Sequence, residues 1–528
     1  MKMLVVTEKC DPRGGQRDGG ARVIDSLKQV LGANLKIMQF GPTSDKNVSW
    51  CFDYPFDHPN RFEKRVINGD FIAKKIQEVE SQFTHIIFIH ASMQFGLTHY
   101  PLRKDLIVWT FPMFLTPSYK ASGEVVPSIY FEKEKEALSF STYILTPSHL
   151  ERKQLIEIYG VDEKKIALVP RGVDTALLSP EKRKITGPLK FCTIGSIKRQ
   201  KNILELISLF HKITDALPNS SLKMIGPIQD EDYGMHVMDK IEELNLQNQI
   251  ELTGHIPPSQ LGKELKGMHI HLSTTLCETF GRSIFETLSS GLPNIVMKGE
   301  NAATEFLQHL PYIHFFSSHE EVIEVIRTFS ANYSTLSSMS LEIGKLYDDK
   351  ILSRLLAATI CKKEPLAVCD FDGTLFHKDD PEKTHRCMEA FKKFPKRAIC
   401  SARFPKDLLE RIKPYDLQVD WIIGGSGSII TDGSGTALWT HLLTQTSGAA
   451  DQLPEVLGLR REVYQGVAFI NPWEASKLHA VNRLLREIEW EGQVKVFGDG
   501  PYDLELITYF GGTLINSHTE VYHDSYTL

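Results

Sequence analysis

The stretch Cys277-Glu278-Thr279-Phe280-Gly281-Arg282-Ser283-Ile284-Phe285-Glu286, followed by Gly291-Leu292-Pro293, decides how the chain is read. Ahead of it, the apolar run Met268-His269-Ile270-His271-Leu272 has the character of a strand. Ser283 opens a helical pattern that Gly291 and Pro293 close. Strand, glycine-containing loop and helix in this order make an anion site. The free N–H groups and the positive end of the helix dipole face whatever sits at the helix start. Glu278 in the loop and Glu286, about two helical turns on, suit hydrogen bonds from sugar or ribose hydroxyls while backbone amides hold phosphate. The same spacing also occurs in an ordinary βα turn with two solvated glutamates.

The pattern repeats upstream. Residues 3–7 read as a buried parallel strand, then Arg13-Gly14-Gly15-Gln16-Arg17-Asp18-Gly19-Gly20 leads into a helical pattern over 21–31. This second glycine-rich turn is also an anion cradle, or else a flexible loop, and it lacks the G-x-G-x-x-G dinucleotide fingerprint. Further strands are expected at 85–90, 106–111, 143–146, 189–194, 222–225, 250–253 and 294–297, with helices at 70–79 and 132–139 between them. Such alternation implies doubly wound parallel sheets that bind ligands at the strand C-termini. After residues 189–194 come Lys198, Arg199 and Lys201, three cations in four residues, forming a phosphate clamp or a solvated turn.

At 528 residues the chain exceeds one core, so two or three domains are expected. Hydrophobic content of 42% and charged content of 24% fit a water-soluble globular protein. A net charge of −6, with no basic stripe, gives no reason to expect nucleic acid as a partner. The eight cysteines form no C-x-x-C pair and several fall in strand-like runs, which argues against zinc or redox chemistry and for reduced thiols in a cytoplasmic protein. No run reaches the ~20 apolar residues of a membrane span, and the apolar N-terminal run is too short for a signal peptide. No feature of the sequence encodes the oligomeric state.

The Glu278–Pro293 stretch resembles the donor site of retaining GT-B glycosyltransferases, the large family that includes sucrose-phosphate synthase. In that family two glutamates with seven residues between them flank the sugar nucleotide, and a Gly-x-Pro segment follows. The resemblance implies donor binding by Gly15, Arg171, Arg199, Lys201, Phe280, Gly281 and Glu286, with Glu278 catalytic. Val169-Pro170-Arg171-Gly172-Val173-Asp174 matches the family's hinge, with Arg171 where Asn is usual, and places the lobe boundary near 175. The family clamp Gly-Arg-x-x-x-x-Lys-Gly has its Lys at Lys201, but Ser196 stands in the Arg position; Arg199 or Arg171 is the candidate replacement. Gly299-Glu300-Asn301 resembles the family loop that approaches the donor with backbone amides. Where the family often carries a His after a Thr-x pair, Thr110-Phe111 is followed by Pro112. His90, at the end of the previous strand, is the alternative, though a lone His is more often structural.

Residues 318–360 are helical and polar, and Lys362-Lys363-Glu364-Pro365 reads as a linker. A separate centre follows in Leu366-Ala367-Val368-Cys369-Asp370-Phe371-Asp372-Gly373-Thr374. A buried strand delivers two carboxylates, two residues apart, to one turn. One suits attack on phosphorus and the other proton transfer. This resembles motif one of the haloacid dehalogenase superfamily. The resemblance implies Asp370 as nucleophile, Asp372 as general acid/base, Ser401 as phosphate binder and Lys477 as neutraliser. It also implies Mg²⁺ held by Asp370, Asp499, Asp503 and the backbone of Asp372, hard oxygen ligands suited to that ion. The interval between Ser401 and Lys477 holds the strand beginning Trp421-Ile422-Ile423 and a small cap near 440–470, as in sugar-phosphate phosphatases. The expected architecture is α/β: GT-B lobes over 1–175 and 176–360, then a HAD-like domain over 364–528. The expected function is retaining transfer from a nucleotide sugar to a small phosphorylated acceptor, followed by dephosphorylation. The alternatives are a macromolecular or lipid acceptor with an independent phosphatase domain, and a non-catalytic protein built from two enzyme folds.

Overall fold

The computed structural model describes residues 1–8, 19–41, 48–441, 446–449, 455–464 and 467–516. The chain divides into two compact units, residues 1–340 and 341–527.

The first unit holds two parallel sheets. One has seven strands in the order Trp50–Phe52, Leu35–Phe40, Met3–Thr7, His85–Ile89, Ile107–Phe111, Tyr143–Thr146, Ile166–Leu168. All its pairings are parallel. The other has six strands in the order Ile250–Leu252, Ser221–Ile225, Lys190–Ile194, Ile270–Ser273, Asn294–Met297, Ile313–Phe316, again all parallel. Strands covered on both faces must be apolar along their length, and Met3–Thr7 and His85–Ile89 are buried at every position. The helices between them are amphipathic. Ile203–Ala216 buries Ile203, Leu206, Ile207, Phe210 and Ile213, the 3.6-residue spacing of one face. The chain passes from the first sheet to the second between Leu168 and Lys190.

The key helix runs Arg282–Ser289 and turns Ile284, Phe285 and Leu288 inward. Phe285 stacks on Phe280 at 4.3 Å between ring centroids, so loop and helix share one packed surface. Gly281 opens the helix at φ 84, a left-handed backbone. A Cβ there would crowd the Asn301 side chain at 3.1 Å, which makes glycine the residue the turn needs.

In the second unit a seven-stranded sheet runs Ala437–Thr440, Ile429–Asp432, Trp421–Gly424, Lys396–Cys400, Pro365–Cys369, Gln493–Gly498, Thr513–Leu514. The five strands from Trp421–Gly424 to Thr513–Leu514 are parallel, and Ile429–Asp432 and Ala437–Thr440 turn back antiparallel. Within the expected cap stand three antiparallel strands, ordered Thr446–Ala449, Val467–Pro472, Leu459–Tyr464. The division at Ser340 falls ahead of the linker expected at 362–365. Helices Glu342–Leu346 and Asp349–Ile360 pack on Lys477–Glu487 and Gln493–Gly498, so their apolar faces are spent in the second unit.

Candidate active sites

A cleft of about 1050 Å³ lies between the lobes of the first unit. The wall on the side of the second sheet comes from four segments: residues 194–201, 225–230, 255–261 and the loop-helix 278–286. Lys201 donates to the Glu278 carboxylate, and both side chains are largely buried. Arg22, on the first helix of the opposite lobe, donates to Glu286 Oε1 at 2.5 Å. The two glutamates of the decisive stretch are thus both present in the cleft, each holding a cation.

Of the other expected donor residues, Phe280 and Gly281 line the cleft with Arg171. Gly15 lies outside the described residues. Arg171 is half-buried with its guanidinium over the Phe111 ring at 5.2 Å, and loss of solvent lowers its pKa to about 10 despite nearby Glu151. Arg199 borders the cleft but its charge is turned away: Nη2 donates to Asp232 at 2.7 Å and Nε lies 3.5 Å from Asp230. The exposed arginine finds carboxylates on the helix Glu231–Glu243 and its N-cap Asp230.

On the first lobe the cleft holds a cluster of which the sequence offered only His90. Arg65 grips Glu8 through two hydrogen bonds of 2.9 and 2.6 Å. It also reaches the Tyr119 and Tyr130 hydroxyls and His90 Nε2. Burial opposes the Glu8 charge, yet Arg65 holds its pKa down to about 2. His90 sits at φ 90, a left-handed backbone rare for a residue with a side chain. Burial, then Arg65, push its pKa well below the usual value, so it stays neutral. Glu8 directly follows the first strand, where α/β ligands bind, and that position was the signal available in the sequence.

The second unit gathers its charges more tightly. Asp370 follows the central strand Pro365–Cys369 and is 4% exposed. Lys477, first residue of the helix Lys477–Glu487, donates to Asp370 Oδ1 at 2.8 Å and to Asp503 Oδ1 at 2.6 Å. Burial disfavours the ammonium, but the two carboxylates hold its pKa well above the ordinary lysine value. Burial pushes the Asp370 pKa up to about 7 against the pull of Lys477, with Asp503 adding to the rise. Asp503 Oδ2 accepts from the Asp499 and Gly500 N–H groups at 3.2 and 3.1 Å. Thr374 donates to Asp499 at 2.9 Å. Gly373 stands at φ 81 where a Cβ would collide with the Asp499 carboxylate.

Asp370, Asp499 and Asp503 bring oxygens within 4.8 Å of one another. Three hard oxygens, one of them solvent-facing, fit a divalent cation such as Mg²⁺. Asp372 does not bring its carboxylate into this trio. Arg403 takes both its oxygens at 2.6 and 2.8 Å, a bidentate pair extended to Asp407 at 3.0 Å. Ser401 is 2% exposed, its Oγ accepting from the Arg403 N–H at 3.2 Å. Arg403 was visible in the sequence beside Ser401, yet only the structure pairs it with Asp372.

Residues 175–342 match the family Glycosyl transferases group 1, and residues 48–177 match Glycosyltransferase Family 4. A component of the Arabidopsis thaliana phosphatidylinositol N-acetylglucosaminyltransferase is 26% identical over 146 residues, which are 28% of this chain and 32% of that one. The chain therefore spans about a third of that relative's length. Sucrose-phosphate synthase from Thermosynechococcus elongatus superposes with a TM-score of 0.59 at 13% identity, over 69% of this chain and 99% of that one. The Anabaena protein Alr3699/HepE, solved with UDP, gives 0.55 at 14% identity, over 68% and 100%. The N-terminal two-thirds of the chain thus has an α/β fold of the GT-B type, within which the two glycosyltransferase family models match.

Proposed function

We propose that the first unit transfers a sugar, with retention, from a nucleotide sugar to a small phosphorylated acceptor, and that the second unit, with a HAD-like fold, removes the phosphate. Support for the first step is the glycosyltransferase match over the cleft residues and the placing of Lys201 and Glu278 at the helix start Gly281–Ser283. Lys201 and the helix N-terminus face the departing diphosphate and stabilise its developing charge. Glu278 and Glu286 take hydroxyl hydrogen bonds once the ligand displaces their cations. A likeness to proteins solved with UDP or acting as sucrose-phosphate synthase points to a nucleotide sugar as donor.

The observation that carries the second step is the Asp370–Lys477–Asp503 constellation. An Asp370 oxygen attacks phosphorus, the bond from phosphorus to the sugar oxygen breaks, and Asp372 passes a proton to that oxygen. Water, deprotonated by Asp372, then attacks phosphorus and frees Asp370 and inorganic phosphate. Lys477 offsets the charge on the aspartyl-phosphate, and Arg403 sets the direction of Asp372. Mg²⁺ held by Asp370, Asp499 and Asp503 would neutralise phosphoryl oxygens. Hydrolysis makes a reversible glycosyl transfer irreversible, and tethering keeps the intermediate at high effective concentration.

The experiment compares wild type with Asp370→Asn, given Mg²⁺, a nucleotide-sugar panel and a pool of phosphorylated metabolites, with products followed by mass spectrometry. The variant accumulates a phosphorylated glycoside that wild type releases without phosphate. Identical products from the two proteins, or none, sink the coupled reading.

A second reading, transfer to a lipid or macromolecule with the phosphatase acting separately, has one observation in its favour. Phe56, Ile67, Val125 and Ile129 are 58%, 44%, 89% and 49% exposed on the first lobe, in segments joined by the Arg61–Glu124 ion pair. The Arabidopsis relative belongs by name to a phosphatidylinositol glycosyltransferase. Cosedimentation with anionic vesicles, abolished by Val125→Asp and Ile129→Asp together, would favour it.

A further inference from the structure

The cations of the cleft are held in different ways, and Arg282, which also lines it, is engaged as well. Arg22 is paired with Glu286, Arg61 with Glu124, Arg65 with Glu8, Arg199 with Asp230 and Asp232, and Lys201 with Glu278. Arg171 lies over an aromatic face. Lys198 lines the same cleft and has no carboxylate within ion-pair distance among the described residues. A cation withdrawn from water without a partner costs free energy that a bound anion recovers.

The local backbone aims Lys198 into the cleft. Ile197 is pinned on both sides: its N–H donates to Pro227 O at 2.8 Å and its carbonyl accepts from Gln229 N at 3.1 Å. It is 2% exposed, and its backbone forms a parallel β-bridge with Ile228. Lys198 continues in extended backbone, φ −159 and ψ 161. Side chains alternate along such a segment, so with Ile197 turned into the core, Ser196 and Lys198 turn to the other side. Both line the cleft and Ile197 does not. Burial, then the charge of Lys201, pull the Lys198 pKa below the ordinary lysine value. A second positive charge therefore stands close to Lys201 and shares the field of Glu278 with it, hydrogen-bonded to no carboxylate among the described residues, while neutral Ser196 contributes none.

We infer that Lys198 is a binding residue for the diphosphate of the nucleotide sugar, acting with Lys201 as the second cation of the clamp. The inference rests on the donor reading above and names a residue for it. Two phosphoryl groups carry more negative charge than the single cation Lys201 offsets, and Lys198 meets that excess from the same loop.

Calorimetric binding tests it without turnover. Wild type is titrated with UDP, ADP and GDP, and the tightest diphosphate is then compared with its free nucleoside in Lys198→Met, Lys198→Arg and Lys201→Met. Lys198→Met is expected to weaken the diphosphate about tenfold or more, as loss of a charge-assisted contact does. The free nucleoside keeps its wild-type affinity, and Lys198→Arg stays within about threefold of wild type for the diphosphate. Equal losses for nucleoside and diphosphate would mark a packing defect and overturn the assignment. Unchanged diphosphate affinity, with a raised KM for the phosphorylated acceptor, would give Lys198 to the acceptor and overturn it as well. If Lys201→Met loses the diphosphate while Lys198→Met does not, the donor reading stands and only the Lys198 assignment fails. If wild type binds none of the three, the donor reading falls and takes the inference with it.

Discussion

The two centres hold their charges differently. In the second unit one lysine serves two carboxylates from two loops, and the whole set is closed within hydrogen-bond distance. In the first unit each glutamate is tied to a separate cation, and one of those ties, Arg22–Glu286, spans the lobes. A closed set is stable without ligand and loses everything when one member goes. An open set holds its acids in temporary pairs that a ligand exchanges. Substitution therefore has steep and local effects in one unit, and graded, ligand-dependent effects in the other.

Lys477→Met tests the steep side. It strands Asp370 and Asp503 as buried like charges, and breaking such a pair costs about 3–5 kcal/mol. Urea unfolding of the second unit should shift accordingly, and hydrolysis of p-nitrophenyl phosphate should fall to background. A variant of wild-type stability would show that the triad is not a closed set. Gly373→Ala comes next. A Cβ at φ 81 against the Asp499 carboxylate combines backbone strain with a displaced acid, about 1–3 kcal/mol. Here phosphomonoester hydrolysis should drop far more than stability, because Asp499 is solvent-facing and little packing depends on it. Equal losses would place the defect in folding.

On the graded side, Arg22→Ala removes a partly exposed ion pair, which contributes at most about 1 kcal/mol to stability. It also frees Glu286. Nucleotide-sugar KM should change by a few-fold while the unfolding midpoint barely moves. A large stability loss would mean that the cleft, too, is held closed by its own charges.

The same difference explains what could be read beforehand. The acidic cluster of the second unit comes from short runs, each a strand followed by its acid or hydroxyl, so the grouping of Asp370 with the 499–503 loop could be expected one motif at a time. The decisive strand-loop-helix was legible for the same reason, and so were the parallel strands, whose apolar runs are uninterrupted. Pairings across the fold were not legible. Nothing near Asp372 announces that Arg403 will hold it, and nothing near Arg65 announces Glu8, 57 residues away in sequence. Arg199 and Lys198 are neighbours of the same charge. Both line the cleft, and only the position of Asp230 and Asp232 pairs Arg199 with carboxylates that Lys198 does not reach.

Two shielded glutamates of the first unit carry the smallest effect, and they oppose each other. Burial works against the Glu8 charge, but Arg65 outweighs it and sets the folded pKa at about 2, below the ordinary 4.5. Its stabilisation is therefore complete above about pH 4.5 and is lost as pH falls toward 2. Glu305 accepts from the His149 and Leu150 N–H groups at the start of helix His149–Glu157, joining the two lobes. Burial nevertheless lifts its folded pKa to about 7 from the same 4.5. Its contribution is complete below about pH 4.5 and is lost as pH rises through 7, the reverse sign. Amide exchange in helix His149–Glu157, corrected for the intrinsic rate, should show protection falling between pH 5 and 8 (about the window set by Glu305). Glu305→Gln should flatten that fall, leaving the acid limb, which Glu8→Gln removes, untouched. If Glu305→Gln leaves the neutral limb in place, the interlobe contact is not what titrates there, and the cleft is held open or closed by other groups.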